Sequence, residues 1–159
     1  KHSGGIMKNP TPRLTKAMVS PVLAKYKKIL GLDGWDLKVA ICSAISMNTK
    51  IKEFETEESD SVALSSTDTD EIVLGCVTHC HPIEQVATVQ FRRDAPKYFG
   101  QWVNLDTLVC HELIHIVVRS EFDRLPKSAQ RSKKTGELEE FICDKFSHII
   151  AKAFEEDSK

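Results

Sequence analysis

Leu105-Asp106-Thr107-Leu108-Val109-Cys110-His111-Glu112-Leu113-Ile114-His115-Ile116 is the stretch on which the reading of this chain turns. Leu105, Leu108 and Ile116 continue one apolar face, so the segment reads as a half-buried helix running to about Arg119, capped by Asn104 or Asp106. Residues four apart on a helix lie one turn apart on the same face, so His111 and His115 can aim both imidazoles at one ion. Glu112 lies about 100° round from His111 and can reach a water bound to that ion. Neutral imidazole suits Zn²⁺, and a zinc-bound water loses a proton near neutral pH. Glu112 is then the general base, taking that proton as the nucleophile forms and passing it to a leaving group. Chance alone yields roughly 0.02 matches to this pattern in 159 residues of this composition.

Two histidines and a water leave zinc one protein ligand short. Asp123, Glu137, Glu139, Glu140, Asp144 and His148 are the candidates that follow. A last helix, preceded by Gly136 and reaching about Phe154, carries Leu138, Phe141, Ile142, Ile149, Ile150 and Ala153 as one apolar stripe. At 100° per residue, Glu140 and Asp144 fall within about 40° of each other on one flank of that stripe. Glu139 lies on the far side, toward solvent. Glu140 is therefore the expected third ligand. Asp144, one turn on, is expected to accept the other ring N–H of a ligand histidine, which fixes the tautomer and raises the basicity of the ring.

His111-Glu112-x-x-His115 followed by Glu140-x-x-x-Asp144 resembles the gluzincin zinc metallopeptidases, of which thermolysin is the familiar member. The likeness is strongest to the compact minigluzincins and related phage or prokaryotic peptidases. Ala87-Thr88-Val89, Trp102 and Leu108-Val109-x-His111-Glu112-Leu113-x-His115 carry it, and it covers roughly residues 35–42 and 85–154. The resemblance implies a minimal zincin core, a Zn²⁺ cofactor and hydrolysis of a peptide bond in a peptide or protein substrate. It also implies that the substrate backbone pairs along an upper edge strand, here Gln85–Arg92. Thermolysin-like enzymes stabilise the oxyanion with His or Tyr groups from a second lobe. No such lobe fits in the 19 residues after Glu140, which leaves Tyr98, His79, His81 and Arg119 as candidates.

Outward from the motif, the chain reads as α+β: an N-terminal helix, a small mixed sheet, the zinc-motif helix and a C-terminal glutamate-bearing helix. Residues 12–30 read as helical, with Ser20-Pro21 as a cap and first-turn proline that would split the stretch in two. Trp35–Ile41 alternates apolar and polar residues as a half-buried strand does. Glu53–Glu71 holds eight carboxylates and no basic residue, and reads as a long loop with one short strand at Val62–Leu64. Glu71–Thr78 and Gln85–Arg92 form a hairpin broken at His79-Cys80-His81-Pro82. Ser120–Thr135 is a polar, basic loop between the last two helices.

Composition narrows the class further. A chain of 159 residues with 41% hydrophobic and 28% charged residues has room for one core, and residues 7–159 are read as a single domain. Lys1–Ile6 look like residue left by expression. Lys+Arg and Asp+Glu number 22 and 23, so no domain-wide basic surface exists to bind nucleic acid by charge alone. No apolar run approaches the ~20 residues of a membrane span, and a cytoplasmic location is expected. Cys42, Cys76, Cys80, Cys110 and Cys143 are odd in number and sit mostly in apolar segments, as reduced, buried thiols do.

Cys76, His79, Cys80 and His81 match no paired zinc motif and read as a loop with incidental thiols. The alternative is a latent enzyme in which one of them, or a carboxylate from Glu53–Asp70, caps the metal. Arg119, Arg124, Lys127, Arg131, Lys133 and Lys134 outnumber Glu121 and Asp123, which raises the SprT-like, DNA-contacting proteases as another reading. Their third ligand is a histidine soon after the motif, and none occurs between His115 and His148. A nucleic-acid partner is therefore disfavoured. Against the peptidase stands a non-catalytic, zinc-containing interaction protein. The intact Glu112 separates the two, because a structural site needs ligands but no base.

Overall fold

Thr15 opens the first helix: its side chain accepts from the Met18 amide at 3.3 Å, closing one of the free N–H groups of the first turn. In the computed structural model, which describes residues 12–43, 72–122, 124–130 and 132–155, this helix α1 spans Lys16–Ile29. Pro21 lies inside it and does not divide it. Ser20 is no cap, because its hydroxyl turns back to donate to the Lys16 carbonyl at 2.8 Å. The proline forfeits a single backbone bond near the helix start, and burial of Val19 and Tyr26 on the core face outweighs that loss. Gly31, at φ +68, ends the helix in the left-handed conformation that glycine adopts without strain.

Three strands follow: β1 (Asp36–Cys42), β2 (Gly75–His81) and β3 (Val86–Arg92). They form a mixed sheet in the order β1-β3-β2, with β1 parallel to β3 and β2 antiparallel to it. β3 is therefore central. Ala87, Val89 and Phe91 alternate along it into the core, and the polar Gln90 and Arg92 on the other face are also buried. The hairpin turn is shorter than the sequence indicates. His79, Cys80 and His81 belong to β2, with a register shift between Thr78 and His81 that leaves His79 at φ 49.

After a 3₁₀ turn at Ala95–Tyr98, helix α2 (Leu105–Phe122) starts on a reciprocal cap. The Asn104 side chain accepts from the Thr107 amide at 2.8 Å, and the Thr107 hydroxyl accepts from the Asn104 amide at 2.9 Å. Asn104 is thus the cap. Asp106 instead accepts from the buried Tyr26 hydroxyl at 2.9 Å and pairs with Lys25 at 3.2 Å, tying α1 to the first turn of α2. The segment read as a loop over Ser120–Thr135 is partly helical: α2 continues to Phe122, and a short helix α3 covers Lys127–Gln130. Helix α4 (Lys133–Glu155) begins before Gly136, with the Ser132 hydroxyl accepting from the Thr135 amide. The stretch Glu53–Asp70, with its acidic loop and the strand at Val62–Leu64, lies outside the described residues. So do Lys1–Ile6 and Asp123.

One core joins all layers: Tyr26, Trp35, Val89 and Phe91 meet Val109, Leu113 and Ile116 of α2 and Cys143 and Ala151 of α4. Among the described residues, no helix is long and apolar enough to cross a membrane. At the far end of β3, Arg92 donates to both carboxylate oxygens of Asp94, at 2.7 and 3.1 Å, and to the Tyr98 hydroxyl at 3.1 Å. These bonds hold the Asp94 carboxyl below its ordinary value of 3.8. A depressed carboxyl pKa contributes stability that is fully present above the ordinary value and is lost as pH falls below it through the depressed folded value. Asp94→Asn is expected to cost about 0.5–1 kcal/mol at pH 7 and progressively less as pH falls below 3.8, as read from urea unfolding across that range.

Candidate metal centre

Four-residue spacing on α2 puts the His111 and His115 rings 4.8 Å apart, centroid to centroid, with their Nε2 atoms 3.0 Å from each other. Helix α4 runs in the opposite direction across them. Glu140 brings one carboxylate oxygen to 3.6 Å from His111 Nε2 and the other to 3.5 Å from His115 Nε2. His111, His115 and Glu140 are the group of metal-ligating side chains found within 4.8 Å of one another among the described residues.

The outer ring nitrogens are also claimed. Asp144 Oδ1 lies 3.1 Å from His111 Nδ1, and Glu139 Oε1 lies 2.6 Å from His115 Nδ1. A carboxylate only accepts, so His115 Nδ1, hydrogen-bonded to Glu139, carries the hydrogen, and the nearby Asp144 carboxylate favours the same tautomer in His111. In the neutral rings, both Nε2 lone pairs then face each other and the Glu140 oxygens. Three acceptors converging on one point repel unless a cation lies among them. Ligand atoms about 2.0–2.1 Å from a tetrahedral zinc stand about 3.3–3.4 Å apart, close to the separations seen here. The donor set fits that metal.

Glu139 is the residue that helical phasing misplaces. It does not face solvent. Its side chain is 15% exposed and sits between His115 and Arg119, whose Nε donates to Oε1 at 2.8 Å. The reason is the seat of α4 on α2. Cys143, Ser147 and Ala151, small residues four apart, form the buried line, while Leu138, Phe141 and Ile149 are half or more exposed. Small side chains let the helices approach closely, which turns α4 so that Glu139 points inward and Glu140 lies at the rim. Phasing from the small residues would have found Glu139.

Electrostatics follow this packing. Burial pushes the Glu139 carboxyl up, but the His115 hydrogen bond and the Arg119 charge outweigh it and hold it below the usual range. The His111 imidazole beside it likewise holds Glu140 below the usual range, with His115 adding to the effect. Burial pulls His111 down, yet the Glu140, Glu112 and Asp144 carboxylates hold it above its ordinary value. Glu112 is 3% exposed, and its burial raises its pKa against the pull of the two histidines. Among the described residues its Oε2 is buried with no hydrogen-bond partner. A carboxylate oxygen left unsatisfied in the interior marks a place where a further polar group belongs.

Sequence also gave no notice of Gly75. A Cβ there would stand 2.7 Å from Glu112 Cδ, so the edge strand reaches the motif only because this position has no side chain. The central strand Gln85–Arg92 is paired on both sides and offers no free edge, which corrects the expectation that it receives a substrate. Among the described residues β2 is the edge strand beside the site. Of the proposed oxyanion stabilisers, Tyr98 is engaged by Arg92, and Arg119 by Glu139 and the Val77 carbonyl. His79 and His81 are exposed on β2. The five cysteines form no disulfide. Part of the basic stretch is neutralised, Arg119 by Glu139, Arg124 by Glu121 and Lys133 by Glu137.

Compared with models of known families, with curated proteins and with solved structures, the chain matches none of them. Gly75→Ala is expected to destabilise the fold by about 1–3 kcal/mol, the cost of overpacking, in denaturant titrations. A wild-type midpoint in that variant would show that Glu112 does not rest on β2.

Proposed function

We propose that this chain is a zinc-dependent peptidase of the gluzincin type, with His111, His115 and Glu140 as ligands and Glu112 as general base. The observation that carries the reading is the convergence of both Nε2 lone pairs and the Glu140 carboxylate beside an orphaned Glu112 Oε2. A zinc ion held there supplies Lewis acidity and lowers the pKa of a water to near neutrality. Glu112, its Oε2 buried and unpaired, is suited to take a proton from that water and to release it to the leaving amine. Its raised pKa suits both halves of that task. Asp144 and Glu139 orient the two rings from behind.

Substrate docking falls to β2. In an antiparallel pair, alternate residues point their backbone groups outward, and the Arg119 bond to the Val77 carbonyl identifies Gly75 and Val77 as the outward pair. An extended peptide can add to that edge beside Glu112. The resemblance to compact phage and prokaryotic peptidases and a cytoplasmic location belong to this same proposal. An interaction protein that keeps zinc only for structure gains nothing from a buried carboxylate with an unpaired oxygen, which is costly to maintain.

Metal-replete protein is expected to hold one zinc per chain by elemental analysis, lost in His111→Ala. Glu112→Gln should keep the zinc and the melting temperature while lowering peptide hydrolysis by about 10²–10⁴-fold, because the amide cannot accept the proton. If wild type holds zinc yet cleaves no member of a diverse peptide library, the interaction-protein reading replaces this one.

A further inference from the structure

Arg119 stands one turn beyond His115 on α2 and reaches two different elements with one guanidinium. Its Nε donates to Glu139 Oε1 at 2.8 Å, on α4, and its Nη1 donates to the Val77 carbonyl at 2.9 Å, on β2. Glu139 Oε1 in turn accepts from His115 Nδ1 at 2.6 Å. The chain of contacts runs from an edge-strand carbonyl, through a guanidinium and a carboxylate, to a ring whose other nitrogen faces the metal cluster. Every link is a hydrogen bond of 2.9 Å or less, and the one from Arg119 to Glu139 is charge-assisted. Glu139 and His115 are shielded, with side chains 15% and 6% exposed, so solvent does not substitute for a lost partner there.

We propose that Arg119 is a positioning residue that couples the edge strand β2 to the metal-facing imidazole of His115 through Glu139. The inference rests on the peptidase reading. It assigns Arg119 two linked tasks. By holding Glu139, it keeps His115 in the tautomer with hydrogen on Nδ1 and the lone pair on Nε2. By occupying the Val77 carbonyl, it fixes β2 against α2 and removes one acceptor from the edge. A docking peptide then pairs mainly through Gly75, next to Glu112, and does not zip onward along β2. The planar fork of arginine satisfies both partners at fixed angles, which a lysine ammonium does not.

The test compares Arg119→Met and Arg119→Lys with Asp144→Asn, whose carboxylate meets His111 rather than His115. Zinc affinity is read by competition with a chromophoric chelator, and KM and kcat on a peptide that wild type cleaves. Arg119→Met is expected to weaken zinc by about tenfold or more and to raise KM several-fold, whereas Asp144→Asn weakens zinc with KM unchanged. Arg119→Lys should rescue neither. Wild-type zinc affinity and KM in a folded Arg119→Met overturn the inference, as does full rescue by lysine, which would reduce the role to charge. Should Arg119→Met not fold, ¹⁵N spectra of the imidazoles in zinc-loaded wild type still decide: hydrogen on His115 Nδ1 is required, and hydrogen on Nε2 overturns the assignment. Wild type that takes up no zinc at all overturns the peptidase reading and this inference with it. Wild type that binds zinc and cleaves, with unmoved Arg119 variants, overturns this inference alone.

Discussion

Everything at the centre of this molecule depends on how α4 lies across α2. The two helices run in opposite directions, so that His115 meets Glu139 and His111 meets Asp144, with Glu140 between. Glu139 takes the Nδ1 hydrogen of His115, and Asp144 stands 3.1 Å from Nδ1 of His111, which favours Nε2 of each ring as a bare acceptor toward the same point. Two acceptors on largely buried rings and a third at the rim repel one another around that point, and a cation placed there would relieve the repulsion.

The second constraint is the absence of a side chain at Gly75. Glu112 occupies the space that a Cβ would take, which brings an outward-facing stretch of β2 against the motif helix. A buried carboxylate, a strand edge and a cluster of possible metal ligands thus share one short region of the fold. Arg119 links them, bridging β2 and Glu139 from the next turn of α2. Helices and a strand rather than loops supply every one of these groups, which holds them in fixed relative positions.

Close approach of α2 and α4 has a consequence on the opposite side of α4. With Cys143, Ser147 and Ala151 against α2, the large apolar residues Leu138, Phe141 and Ile149 are turned outward, and Phe146 is half exposed beside them. The stripe that sequence periodicity assigns to the core is in large part a surface. Periodicity detects that a helix has an apolar side, but it weights large residues most. A helix pair chooses its contact by how near the backbones can come, and small residues win that contest.

Sequence alone determined the motif helix, its pair of histidines and the α+β order of elements, because these depend on spacing along one helix and on local propensity. The i, i+4 geometry is a property of any α-helix, and it needs no partner to place two rings on one face. Glu140 and Asp144 were legible for the same reason, lying four apart on a second helix. Tertiary structure decided the rest. Which way α4 rotates, and so whether Glu139 is solvated or buried, depends on the face offered by α2. Which strand is the edge depends on β1 pairing in parallel with β3 across a long separation in the chain, a contact that no local pattern encodes. Pro21 stays inside α1 because Tyr26 and Val19 are buried by other elements. Local spacing names the groups that can do chemistry, but only the packing of one element on another sets which atoms of those groups meet.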